Sequence, residues 1–417
     1  MSEIALIQAL QRAVGNVSAY GNDVASPDWA NFTAEEIAPF TQALMDAPEL
    51  CSLWGKWAVT LDSSSVLSAE SSARYLVSRA RFQYHADVIV SDLLRFAASG
   101  DVEIRTVRAI TNVEVSDHIQ LGDNAYLTPP GSLPPGVCRN VAFLNGLAMG
   151  ERDRIPPGLA ALVVTTTISS LRDAPIQSRS GAIVMPIALM VEPNVRENME
   201  DAVRRARIAL IVGGATAPRF GASYCYVSSP GWPLMMENGV GGGMAVAPPP
   251  PRLSNEHAEN LQRVFGAAGS PDETLSLAID HLAAARNCQS DAERAIEIGS
   301  CLEILLMHEQ KSDNSEITNK ISHRGAWLIG TDGADRIVVY NTIKSAYGLR
   351  SKAVHAGKLP VLQTMEKHEE RQQFFSDCEL VISRLIERLF AGWPKKWDQV
   401  TLSVDPGEDE QPRTDHV

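Results

Sequence analysis

A glycine run followed by a proline run interrupts this chain near its middle and constrains its fold more than any other feature. Residues 239–243 read GVGGG, and residues 248–251 are consecutive prolines. Glycine permits many backbone conformations and a proline run is stiff and extended, so neither segment suits a helix or a central strand. We therefore predict a linker over residues 239–253. It separates an N-terminal domain, residues 1–238, from a C-terminal helical domain, residues 254–397.

The N-terminal domain is expected to be α+β. Helical periodicity marks residues 3–13, 69–98 and 198–207, and Thr33 with Glu36 forms a capping box that opens a further helix. Runs rich in β-branched residues and turn signals predict strands over residues 103–115, 119–127, 162–168 and 182–191.

Apolar residues recur at helical spacing through almost the whole C-terminal domain. The pattern predicts five helices, around residues 261–265, 275–282, 295–306, 336–355 and 378–389. Together they indicate an all-α helical bundle. The final segment, residues 398–417, carries five acidic residues against Arg413 beyond position 401, and we predict a disordered acidic tail.

Composition narrows the classes of function. The chain has 417 residues, 45% of them hydrophobic and 21% charged, which is ordinary for a globular protein. Its formal net charge of -13 argues against a protein that coats nucleic acid nonspecifically, but it leaves room for a local basic cleft. No apolar run is long enough to span a membrane and the N-terminus lacks a secretory signal, which indicates a cytoplasmic protein with no membrane partner.

The six cysteines are far apart and include no C-x-x-C pair, which favours reduced thiols over disulfides or a zinc site. The histidines of the N-terminal half form no His-x-x-x-His or His-Glu-x-x-His pair. We predict no metal site and no cofactor.

The candidate catalytic side chains lie at the end of the fourth predicted bundle helix, in residues 347–357 (YGLRSKAVHAG). An apolar stripe that includes Val339, Ile343 and Tyr347 continues to Arg350, which places a guanidinium on the core-facing side of the helix. An unpaired buried charge would cost roughly several kcal/mol. Arg350 therefore needs an anionic partner or an anionic substrate.

A histidine follows this arginine near the expected end of the helix. On an unbroken helix the side chains of Arg350 and His355 would point about 140° apart. Gly357 and Pro360 predict that the helix stops or bends near His355, which would turn the imidazole toward the arginine. Imidazole exchanges protons near neutral pH and guanidinium binds the charge that develops on phosphorus. The pair therefore suits metal-free cleavage of an RNA phosphodiester.

The spacing of the two residues is weak evidence by itself. Arg79 with His85, and Arg252 with His257, match the same R-x4-6-H pattern. Only the third match lies at the end of a bundle helix, with its arginine on the apolar stripe.

Structural roles for the same side chains remain open. Arg350 could form an internal ion pair with Glu303, and His355 could bond to the free carbonyls at the helix end. Tyr347 could belong to the core or to a dimer interface, and Lys352 could contact a phosphate or simply be exposed.

The C-terminal region, about residues 254–391, resembles the HEPN superfamily and in particular its ApeA-like branch. In that branch a helical bundle with an R-x4-6-H motif follows a less uniform N-terminal domain. The matching motif residues are Arg350 and His355, while Glu303 and Arg324 stand at recurrent polar positions of the branch.

The resemblance implies a metal-independent endoribonuclease that acts as a homodimer, with two motifs facing each other across one cleft. His355 would be the acid/base and Arg350 the transition-state anchor. Ser351 follows the arginine where active members often carry Asn, Asp or His. Arg324, with His323 beside it, would bind phosphate or lie in a solvated loop.

The biological setting is also implied by the resemblance. Many relatives act in prokaryotic defence against phage or in toxin systems, and the N-terminal domain would then sense a trigger or restrain the nuclease. A rival hypothesis of another class is a non-catalytic interaction protein. In that case the bundle is a dimerisation platform and the N-terminal domain binds a ligand or a partner.

Overall fold

A computed structural model of the chain describes most of its length. The described residues are 2–16, 32–61, 64–82, 84–134, 137–144, 158–173, 193–234, 237–238, 251–307, 316–394 and 396–402.

The chain divides into two compact units. The first comprises Met1–Arg204 and Arg219–Asn255, and the second comprises Arg205–Pro218 and Glu256–Val417. The first unit combines helices with a β-sheet and the second is helical. Most of the predicted linker, residues 239–250, lies outside the described residues.

Six helices begin in the described residues of the first unit. They are α1 (Glu3–Asn16), α2 (Ala34–Met45), α3 (Ala69–Phe82), α4 (Ala86–Ser99), α5 (Val137–Leu144) and α6 (Pro193–Ile208). The capping box predicted for α2 is present: the Thr33 hydroxyl accepts from the Glu36 amide, and the Glu36 carboxylate accepts from the Thr33 amide. A π-helical turn, Ala209–Gly213, continues α6 into the second unit.

The single long helix predicted over residues 69–98 is wrong, because the chain forms α3 and α4 there. A continuous helix of that length would extend about 45 Å. Two shorter helices instead bury Leu76 of α3 and Leu93 of α4 in one core, where each is fully buried. Neither Gly nor Pro marks the break, which is why periodicity alone did not reveal it.

The strands of the first unit are short except for three. They are β1 (Trp57–Val59), β2 (Ser64–Val66), β3 (Asp101–Thr111), β4 (Glu114–Val115), β5 (Ile119–Gly122), β6 (Ala125–Thr128), β7 (Leu159–Ser169), β8 (Leu171–Arg172), β9 (Arg219–Val227), β10 (Glu237–Asn238) and β11 (Arg252–Leu253). The last of these lies at the end of the predicted linker and pairs in parallel with β4.

Six of these strands form one antiparallel sheet in the order β10-β9-β3-β7-β6-β5. One face, which includes Ile104, packs on the core that α1–α4 contribute. The other face, which includes Val107, packs on a smaller cluster with residues of α5. The strand predicted over residues 182–191 lies outside the described residues, and β9 was not predicted.

The described residues of the second unit contain the five predicted helices and two more. They are α7 (Ala258–Ala267), α8 (Glu273–Asn287), α9 (Asp291–Met307), α10 (Ile317–Ile329), α11 (Gly333–Ala356), α12 (Met365–Leu389) and α13 (Trp397–Leu402). Helix α9 packs against α8 and α11, and α11 also packs against α10. The prediction of disorder from residue 398 is wrong as far as Leu402, which is helical, and residues 403–417 lie outside the described residues.

Candidate functional site

Helix α11 carries the arginine and the histidine. Its N-terminus is capped by Asp332, whose carboxylate accepts from the Asp335 amide at 2.9 Å. Its C-cap is Gly357, which adopts a left-handed conformation with φ of 66°. Such a conformation favours glycine, because a Cβ atom would clash there. The predicted stop at this glycine is therefore confirmed.

The helix nevertheless runs through His355, which stays in its last turn. The expected swing of the imidazole toward Arg350 does not occur, because the left-handed residue comes after the histidine. The two side chains remain about 140° apart around the helix axis. Each residue therefore has its own environment.

Arg350 is held by two neighbours. Its Nη2 donates to Glu303 Oε2 of α9 at 3.1 Å, and its Nη1 donates to the Tyr347 hydroxyl at 3.3 Å. The Arg350 and Glu303 side chains are 27% and 30% exposed. The ion pair considered from the sequence is thus present, and it fixes the direction of the guanidinium.

Tyr347 completes this cluster. Its hydroxyl donates to Glu303 Oε1 at 2.5 Å, so the carboxylate uses one oxygen for the tyrosine and the other for the arginine. Burial, followed by the hydrogen bond and the charge of Glu303, raises the pKa of Tyr347 to about 12, against the opposing effect of Arg350. The phenol therefore stays protonated as a donor at neutral pH.

Gly299 of α9 makes this arrangement possible. A Cβ atom at position 299 would lie 2.7 Å from Cβ of Arg350 and still closer to its Cγ. The arginine stem crosses α9 where no side chain intervenes. Sequence analysis did not identify Gly299 as a site residue, although a glycine inside a helical pattern is a signal of close approach.

Arg350 keeps some unused hydrogen-bonding capacity. Its Nε atom is buried and has no hydrogen-bond partner among the described residues. The side chain as a whole is 27% exposed, so the guanidinium remains a cation that a phosphate oxygen could approach from solvent.

His355 lies in a different setting. It is exposed and borders a groove of about 640 Å³, together with Ser351, Lys352 and Lys358. No hydrogen bond joins its ring to any other residue that the structure describes. The alternative in which the ring caps free carbonyls at the helix end therefore does not hold.

Arg324 does not lie in this groove. It is on α10, 5% exposed, and donates from Nη1 to the Leu306 carbonyl at 2.6 Å. Its guanidinium also lies over the Trp397 ring, 4.9 Å from the centroid. The prediction of a phosphate-binding or loop position is wrong, because this side chain binds the last turn of α9. Its neighbour His323 lies against the ring of Tyr340.

The thiols offer no alternative nucleophile near this site. No disulfide joins any of the six cysteines, all of which lie in the described ranges. Burial raises the pKa of Cys288, Cys301 and Cys378, so these three in the second unit stay protonated at neutral pH. Among the residues described, no group of three or more His, Cys, Asp or Glu side chains is arranged to hold a metal ion.

Two further observations complete the description. No helix in the described ranges is long and apolar enough to cross a membrane. No protein-family model, curated protein or solved structure matches this chain.

Proposed function

We propose that the second unit is a metal-independent endoribonuclease of the HEPN type that acts as a homodimer. One observation carries the proposal. Glu303 and Tyr347 hold Arg350 in a fixed direction, and five residues later on the same helix His355 borders an open groove without a hydrogen-bond partner among the described residues.

The reaction needs only these two kinds of group. His355 accepts the proton of the RNA 2'-hydroxyl, whose oxygen attacks the adjacent phosphorus, or it protonates the leaving 5'-oxygen. Arg350 binds the charge that develops on the phosphoryl oxygens. The products end in a 2',3'-cyclic phosphate and a 5'-hydroxyl, and no metal takes part.

A second copy of the chain is part of the proposal because of the helix geometry. Arg350 is bound on the α9 side, and His355 lies about 140° around the helix from it. Two copies related by a two-fold axis would let the arginine of one chain meet the histidine of the other in a shared cleft. On the basis of the sequence resemblance, we extend this proposal to a role in prokaryotic defence or in a toxin system.

Cleavage in the presence of a chelator tests the function directly. Structured and single-stranded RNAs are incubated with purified protein and EDTA, and products are analysed for 2',3'-cyclic phosphate ends. Arg350→Ala and His355→Ala should each abolish cleavage while the dimer persists. Arg384→Ala, which removes another half-buried ion pair of the same unit, and Lys344→Ala, at an exposed position of α11, should retain it.

Continued RNA cleavage by both active-site variants would refute the assignment. Loss of cleavage in Arg384→Ala as well would attribute the effect to lost stability rather than to lost chemistry.

The non-catalytic alternative is favoured by a specific observation. Arg350 is already neutralised by Glu303, and α11 does not bend to join it to His355. A dimerisation platform needs no more than this. Such a protein would form dimers that leave RNA intact in EDTA and in Mg²⁺, and the Arg350 and His355 variants would behave like the wild type.

A further inference from the structure

The groove beside His355 continues into a second one. The second groove has a volume of about 850 Å³, and both are lined by Lys358, Leu359, Pro360 and Val361 of the segment between α11 and α12. The two grooves therefore share part of one loop, residues 357–364, as a common wall. We call them together the loop groove.

The loop groove is basic in an acidic protein. The formal net charge of the chain is -13. Among the described residues that line the loop groove, the basic and imidazole side chains are those of Lys352, His355, Lys358, His368 and Arg371. The acidic lining residue is Asp291, which is already bonded to Arg371 at 3.3 Å and to Gln372 at 3.0 Å.

Four of these side chains have no partner in the part of the chain that the structure describes. Lys352, His355, Lys358 and His368 form no side-chain hydrogen bond or ion pair with another described residue. Several arginines elsewhere in this unit are paired, as Arg384 is with Asp335. Four unpaired cations or potential cations along one surface create a local field that attracts a polyanion.

Exposed apolar side chains accompany the charges. Val361 at the loop is 89% exposed and Met365 at the start of α12 is 73% exposed. A single RNA strand offers both complementary features, since its backbone carries a regular series of charges and its unpaired bases present apolar faces. A duplex hides those faces, and a run of glutamates has none.

We propose that the loop groove is the substrate track of the ribonuclease, in which Lys358 and His368 bind the backbone of single-stranded RNA and position one phosphate beside His355. This inference rests on the proposed function and deepens it. Lys358 and His368 are positioning residues, since neither is needed for proton transfer. The sequence motif does not include either of them.

Charge reversal at one lysine, with a matched control, tests the track. Lys358→Glu changes the net charge by the same amount as Lys367→Glu, which alters an exposed lysine of α12 outside the loop groove. A fluorescein-labelled oligouridylate is titrated with each variant in the His355→Ala background, which prevents cleavage, at several salt concentrations. KM and kcat are then measured in the background with His355 intact.

Lys358→Glu should weaken oligouridylate binding about tenfold. It should also make the slope of log association constant against log salt concentration less negative by about 0.7, the value for one phosphate contact to a single strand. It should raise KM far more than it lowers kcat. His368→Ala should shift KM in the same direction by a smaller factor. Lys367→Glu should leave affinity, slope and KM near those of the parent.

Each contrary result has a distinct meaning. If Lys358→Glu and Lys367→Glu weaken oligouridylate binding equally, the effect is general charge repulsion between protein and RNA, and the substrate track is wrong. If Lys358→Glu cleaves RNA and binds the oligouridylate as tightly as the parent does, the substrate track is wrong but the proposed nuclease activity is not. Salt-dependent binding through Lys358 without any cleavage would refute the nuclease and keep the RNA site. If polyglutamate displaces the labelled oligouridylate as effectively as unlabelled oligouridylate does, the assignment of the loop groove to RNA is wrong.

Discussion

Replacing Gly299 by alanine tests how the candidate site is built. Glycine in the middle of a helix ordinarily costs stability, so alanine at such a position should help. Here the added methyl group would lie 2.7 Å from Cβ of Arg350 and closer still to Cγ. Either the helices separate or the arginine stem moves away from Glu303.

The magnitude follows from opposing effects. Better helix propensity contributes about 1 kcal/mol in favour of the variant, and overpacking against a neighbouring helix costs about 1–3 kcal/mol. Loss of the pair between Arg350 and Glu303, each roughly a quarter to a third exposed, costs up to about 1 kcal/mol. We expect Gly299→Ala to destabilise the protein by about 1–2 kcal/mol and to reduce RNA cleavage along with it.

Gly348 of α11 provides the matched control. It also lies inside a helix of this unit, but nothing lies within 4 Å of a Cβ atom built there. Gly348→Ala should therefore stabilise the protein by about 0.5–1 kcal/mol. The two glycine variants should change the free energy of unfolding in opposite directions.

Urea-induced unfolding followed by circular dichroism measures both effects. A double variant, Gly299→Ala with Arg350→Ala, relieves the closest part of this contact, because it removes Cγ and Cδ of the arginine and leaves only its Cβ against the added methyl group. The decrease in the free energy of unfolding of the double variant should be about 1 kcal/mol smaller than the sum of the decreases in the two single variants. If Gly299→Ala stabilises the protein as much as Gly348→Ala does, the proposed contact is wrong.

Two further predictions concern the same cluster. Tyr347→Phe removes the hydroxyl that donates to Glu303 and accepts from Arg350, and it should destabilise the protein by about 1–2 kcal/mol at neutral pH. The pKa of this phenol is raised to about 12 in the folded protein. The extra stability of the wild type over Tyr347→Phe should therefore be complete below about pH 10 and be lost as the pH rises toward 12. A difference between the two unfolding midpoints that stays constant across this range would contradict the assignment. Mixing Arg350→Ala with His355→Ala should restore about a quarter of wild-type cleavage, since random exchange makes half the dimers mixed and each mixed dimer keeps one intact composite site. An inactive mixture, with subunit exchange demonstrated, would exclude a site shared between chains.

Local sequence patterns predicted the helices of the second unit well. Apolar residues spaced at helical period identify α8, α9 and α12, because each helix buries one stripe and exposes the rest. Helix α10 was missed, since its polar residues include Arg324, whose partner is a carbonyl on another helix. The fold class was likewise accessible to the extent of an α+β unit and a helical unit.

Features that depend on distant segments were harder to predict. Strand β9 contains Gly221 and Ser223, which weaken the β-branched pattern, and its partner β3 lies more than a hundred residues earlier in the chain. The break between α3 and α4 is set by the shared core of the first unit and by no local breaker. In each case a contact across the fold overrides local propensity.

The sequence by itself determined where the site's helix ends and which residue types it presents. Gly357 stops α11 through its own backbone freedom, and helical period places Arg350 on the inward side, where Glu303 was a natural partner. These are local properties of one helix. They require no knowledge of the other segments.

Only the tertiary structure decided what surrounds those residues. Gly299 allows the arginine to cross α9, and Lys358 and His368 line the same groove although they lie on different segments, the loop after α11 and the first turn of α12. The direction of His355 was also decided there, since the helix remains straight through it. Helix period assigns a side chain to a face, but contacts between helices determine what that face encounters.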